Sequence, residues 1–89
     1  MEDLGHPVSY LVAKSGIPVF SSDGEKIGRV AKVLSAPEAH IFDGIIFETS
    51  WGPGSRRFVD APEVGEIYER GVILKIAAAE VESLPKRWR

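Results

Sequence analysis

Eighty-nine residues with a hydrophobic fraction of 44%, a charged fraction of 27% and a net charge of -2 describe one ordinary globular domain, because a chain this short buries only about 60–65% of its unfolded surface and does not divide that burial between two cores. The absence of cysteine excludes disulfides, thiolate nucleophiles, zinc knuckles and iron–sulfur clusters, and the acidic balance argues against a protein whose main business is coating nucleic acid. Apolar runs such as Val72-Ile73-Leu74 are far too short to cross a bilayer, and Glu2 and Asp3 stand where a signal peptide needs basic residues, so a cytoplasmic protein without membrane contact is the expectation.

Residues 1–15 form an approach segment. Pro7 can open a helical turn with Val8, Leu11 and Val12 on one face, stopped by Gly16, yet Val8, Tyr10 and Val12 also alternate as in a strand. Both readings bury the apolar side. From Ile17 onward, Val19 and Phe20 make a first strand, Ser21 to Glu25 a turn centred on Asp23-Gly24, and Lys26 to Leu34 a long second strand. Ile27, Val30 and Val33 are three apart, so a flat strand would divide them between two faces. A bulge near Gly28 restores Ile27 and Val30 to one face.

Ser35 to His40 is a polar loop. Ile41 to Thr49 is a third strand, with Ile45, Phe47 and Thr49 on one face and Ile46 and Glu48 on the other. Gly52-Pro53-Gly54 marks a connection, and Arg56 to Asp60 a fourth strand. Ala61 to Val64 turns the chain into a last hairpin, Gly65 to Tyr68 and Val72 to Ile76, whose second strand points Val72, Leu74 and Ile76 inward. Ala77 to Leu84 predicts a closing helical turn before Pro85. Short strands at roughly ten-residue spacing between glycine and proline turns fit an all-β, partly or fully closed antiparallel barrel, and closure would protect the strand edges.

The segments GIPVFSSDGEKIGRVAKVL, IFDGIIFE, RRFVDAPEVGEIYERGVILKI and VESLP, in that order over Gly16 to Pro85, resemble a PRC-barrel domain. The resemblance implies a six-stranded barrel of about this size at residues 16–85, preceded by the 1–15 segment packing on it and followed by a basic tail at 86–89. Members occur in the photosynthetic reaction-centre H subunit, in a ribosome maturation factor and as stand-alone proteins. PVSYLV and the FDG motif look most like the bacterial stand-alone members. The family has no common catalytic site and looks like a docking scaffold, so no functional residue carries over.

Candidate sites each have a plainer reading. His40, Asp43, Glu38 and His6 include metal-ligating types, but their spacing is not a metal signature, and Asp43 before Gly44 fits a bend. Ser21, Ser22 and Asp23 invite a nucleophile reading, yet a serine needs a positioned base and oxyanion pocket; Asp and Ser bonding to nearby backbone amides explains the same residues as a turn. Arg56 and Arg57, with Arg87, Trp88 and Arg89, can make a basic, aromatic surface for RNA. Equally, Arg57 can pair with Asp60 or Glu48 while Trp88 folds back on the barrel. Trp51 in its glycine-rich loop is a protein contact or a barrel cap. Phe20, Phe42, Phe47 and Phe58 read as core. The expectation is a non-enzymatic protein-interaction module, without cofactor, pairing as a homodimer. The alternative is an RNA or ribosome-associated assembly factor using the basic tail.

Overall fold

The computed structural model describes residues 3–49 and 55–85. Within them run six strands, β1 (Pro18–Phe20), β2 (Lys26–Ala36), β3 (Ile41–Thr49), β4 (Arg56–Asp60), β5 (Val64–Tyr68) and β6 (Gly71–Leu74), with short 3-10 turns at Tyr10–Val12, Pro37–Ala39, Ala61–Glu63 and Ala78–Ser83. The strands form one sheet in the order β4-β3-β2-β1-β6-β5. No helix among the described residues is long and apolar enough to cross a membrane.

Two expectations are corrected. The sheet is mixed rather than antiparallel, because β1 runs parallel to β6, with Val19 beside Val72 and Phe20 beside Ile73. Nor is it closed: the outer strands β4 and β5 are not paired with each other. The reason lies in what already occupies their edges. Along β5, Pro7 bridges Tyr68, and Val8 N–H donates to the Ile67 carbonyl at 2.8 Å. Along β4, Phe58 N–H donates to the Pro85 carbonyl at 2.9 Å. The segments before β1 and after β6 thus each take up part of an edge that closure would have paired, and shield part of two edges that would otherwise invite aggregation.

The sheet coils around one core. Val19, Ile27, Val30, Ile45, Phe47, Val59, Ile67, Val72, Leu74, Ile76 and Val81 form a contiguous buried cluster drawn from every strand and from the last 3-10 turn. The coiling rests on bulges. Val19 lies opposite Gly28 and Phe20 opposite Lys26, which leaves Ile27 as the extra residue. Ile27 and Val30 consequently both reach the core, as the three-residue spacing requires. Between β2 and β3 the register slips again at Ala31, between Val30 and Lys32, and at Asp43, where Leu34 faces Gly44 but Ser35 faces Phe42.

The approach segment is neither a helix nor a regular strand. Its 3-10 turn is closed by Val12 and Ala13 N–H groups on the Ser9 and Tyr10 carbonyls, and the Ser9 hydroxyl accepts from Leu11 N–H at 3.1 Å. With three residues per turn only one side chain in three faces inward. Tyr10 takes that position, packed on the core and stacked on Phe42 with ring centroids 4.9 Å apart. Leu11 and Val12 therefore remain 58% and 60% exposed, against the expectation that the apolar side is buried. Phe47 and Phe20 are buried as expected, whereas Phe42 and Phe58 are only half-buried.

Candidate functional site

The turn at Ser21 to Glu25 holds the densest cluster of polar side chains in the sequence, and the structure engages it in the fold. The buried Ser21 hydroxyl donates to Asp23 Oδ1 and accepts from Glu25 N–H at 3.2 Å. Gly24 takes a φ of 85° that suits glycine in the tight reversal. Two bonds then fasten the turn to the end of the chain: Ser22 N–H donates to the Ile76 carbonyl at 2.7 Å, and Asp23 Oδ1 accepts from Ala78 N–H at 3.2 Å. Asp23 thereby caps the start of the last 3-10 turn, whose Glu80 carboxylate in turn accepts from Ala77 N–H.

The Ser21 hydroxyl, and after it the Ala78 N–H, hold the Asp23 carboxyl below the ordinary aspartate value. A depressed folded-state value stabilises the fold above the unfolded value, and that contribution fades as pH falls through the folded one. The denaturation midpoint of Asp23→Asn should therefore lie below wild type at neutral pH, and the gap should close on titration into the acid range below the ordinary aspartate value. Urea melts at stepped pH measure this directly. A gap that stays constant into strong acid would show that the charge on Asp23 contributes nothing.

The arginine pair divides between two roles. Arg56 and Glu48 face each other on β4 and β3, and Arg56 Nε lies 3.5 Å from Glu48 Oε2. Arg57, one residue on, lies on the same side of β4 as the core residue Val59. Its Nη1 donates to the Leu84 and Glu82 carbonyls at 3.0 and 3.2 Å, tying the end of the last 3-10 turn to β4. The expected partners Asp60 and Glu48 are not the ones it takes. Its Nε is buried without a hydrogen-bond partner, so this guanidinium is committed to the fold. The signal was in the sequence, since alternation through Val59 puts Arg57 on the inner side. Arg57→Ala should cost about 2 kcal/mol, the scale of hydrogen bonds from a charged donor, and accelerate amide exchange at Phe58. Guanidinium melts and exchange rates check it.

Of the potential metal-ligating residues, Glu38 and His40 share the connection between β2 and β3 and Asp43 lies near the start of β3, while His6 lies elsewhere. His6 is held at the β5–β6 turn, its N–H donating to Glu69 Oε1 and its carbonyl accepting from Glu69 N–H. His40 sits between β2 and β3 with a positive φ of 55°. Asp43 is the extra residue of a bulge, as its place before Gly44 implies. Among the described residues no three His, Asp or Glu side chains gather as a metal site. Trp51, Arg87, Trp88 and Arg89 lie outside the described residues.

Sequence reasoning missed the exposure of three large apolar residues that neighbour Tyr10 and Phe42 in the chain. Leu11 and Val12 follow Tyr10, and Ile41, 48% exposed, precedes Phe42. Beside the stack a shallow cleft of about 200 Å³ is lined by Val8, Tyr10, Phe42, Ala61, Val64 and Ile67 among others. A larger concavity of about 440 Å³ lies among Asp3, Leu4, Pro18, Lys26, Arg29 and Arg70. Its charges are partly matched, with Arg70 3.7 Å from Asp3 and Arg29 donating to the Gly16 carbonyl. No family model matches the chain, and no curated protein does.

Proposed function

We propose that this protein is a non-enzymatic interaction module of the kind the resemblance to PRC-barrel domains implies, docking a protein partner through the apolar surface around the Tyr10–Phe42 stack. The observation that carries this reading is the exposure of Leu11, Val12 and Ile41, each within two residues in sequence of one of two stacked rings that pack against the core. Side chains placed outward by a rigid, capped turn lose little freedom on binding, which is what makes a preorganised contact. The engagement of Ser21, Asp23 and Arg57 in holding the fold supports the same reading, because these groups serve backbone partners.

Half-exposed aliphatic side chains of this size contribute roughly 1 kcal/mol apiece when a partner covers them. Leu11→Asp combined with Ile41→Asp should thus weaken capture of a partner about 30-fold, from the loss of about 2 kcal/mol, while leaving the melting temperature nearly unchanged. The experiment is a pull-down from native lysate with wild-type and doubly substituted protein, each with and without nuclease. Retention of a stoichiometric partner by both forms would overturn the choice of surface. Loss of the bound material on nuclease treatment would favour the RNA-associated alternative.

A further inference from the structure

The outer edges of β4 and β5 each make a backbone hydrogen bond with a flanking segment, but among the described residues one stretch of edge inside the sheet makes none. β1 pairs with β2 only from Lys26 to Arg29, and the contact ends with Gly16 N–H on the Val30 carbonyl and Val30 N–H on the Ile17 carbonyl. At Gly16 a φ of 90° turns the chain away, toward the core packing of Ala13 and Tyr10. β2 continues for six more residues with β3 on one side. Among the described residues no backbone group bonds to its other side from Ala31 to Ala36.

We propose, on the reading of this protein as an interaction module, that the edge of β2 at Lys32 to Ala36 is a self-association site that pairs antiparallel with the same edge of a second copy. The stretch is bracketed, by the bulge at Ala31 on one side and by Pro37, which lacks a donor, on the other. Five residues therefore present themselves as a discrete unit. A two-fold axis at Leu34 sets Leu34 against its own copy, Val33 against Ser35 and Lys32 against Ala36. The pairing is isologous and closes at two chains.

Charge selects the partner and the register. Lys32 and Glu38 are exposed, and among the described residues neither makes an ion pair. With the axis at Leu34, Lys32 pairs with Ala36 of the other copy, whose chain runs on into the 3-10 turn that carries Glu38, so opposite charges are brought to the same end of the ribbon, and the arrangement repeats on the other side of the axis. An axis nearer Lys32 would bring two ammonium groups together, so the lysine opposes a slipped register.

The chain has no cysteine, which makes cross-linking unambiguous. Residues on the axis of an antiparallel pair have Cα atoms about 4.5–5.5 Å apart, within disulfide range. Under mild oxidation Leu34→Cys should form a covalent dimer on the order of tenfold faster than Leu11→Cys. Light scattering at high micromolar concentration should give twice the 9.7 kDa chain mass, and Leu34→Lys should restore the single-chain mass with an unchanged circular dichroism spectrum. A single-chain mass for the wild type overturns the proposal, and so does cross-linking at Leu11 as fast as at Leu34. Neither result bears on docking of a different protein, which the pull-down decides.

Discussion

Phe47→Ala should destabilise the protein by about 3–5 kcal/mol, the range for removing a large aromatic from a packed core. Phe47 is fully buried at the middle of the coiled sheet, facing Val30 on β2 and Arg57 on β4. Core residues from all six strands converge on this cluster, so the cavity cannot collapse without moving several strands together. For a domain of this size total stability is on the order of 4–13 kcal/mol. The substitution should accordingly lower the melting temperature by roughly 15–30 °C. Phe47→Leu, which leaves most of the volume filled, should cost much less. Similar melting temperatures for Phe47→Ala and Phe47→Leu would mean that the ring is not packed as described.

Gly28→Ala should also be strongly damaging, at about 3 kcal/mol, the upper end of overpacking costs. A Cβ built on Gly28 would lie 2.9 Å from the Glu48 carbonyl carbon, closer still to its oxygen, and 3.1 Å from Thr49 Cα. These are backbone atoms of the neighbouring strand, so relief requires β2 and β3 to separate. Gly16 provides the contrast. No atom lies within 4 Å of a Cβ placed there, and only its φ of 90° opposes a side chain, a strain of about 1–2 kcal/mol. Chemical denaturation should rank Gly28→Ala well below Gly16→Ala in stability. The reverse order would contradict the close approach of β3 to Gly28.

Much of this was legible in the sequence, for local reasons. Alternation delimits Ile41 to Thr49, the turn chemistry of Asp23-Gly24 places the first hairpin, and the spacing of Ile27 and Val30 requires a bulge near Gly28, which the structure places at the adjoining Ile27. The role of Gly28 was only partly legible, since its close approach involves Glu48, twenty positions away. The parallel pairing of Val19 with Val72 left no mark either, because both strands are short and their partners are distant in sequence. Closure was expected from strand count and spacing. What those cannot show is that residues 7–8 and 85 occupy the outer edges first. For the candidate site, residue type misled at Arg57, whose charge suggested a surface role while its place in the alternation put it inside. Leu11 and Val12 were misplaced because a 3-10 turn has a different period from either a helix or a strand.

The segments before β1 and after β6 are parts of the fold, each bonding to one outer strand of the sheet; on the proposed reading, docking then uses outward side chains and the unpaired stretch of β2. Residue-resolved amide hydrogen exchange tests these edge contacts at Val8 and Phe58, whose N–H groups donate to the Ile67 and Pro85 carbonyls. Both amides should exchange at least about a hundredfold more slowly than in an unstructured chain, as hydrogen-bonded strand amides do. Exchange of either at the unstructured rate, with Ile45 and Phe47 still protected, would contradict the account.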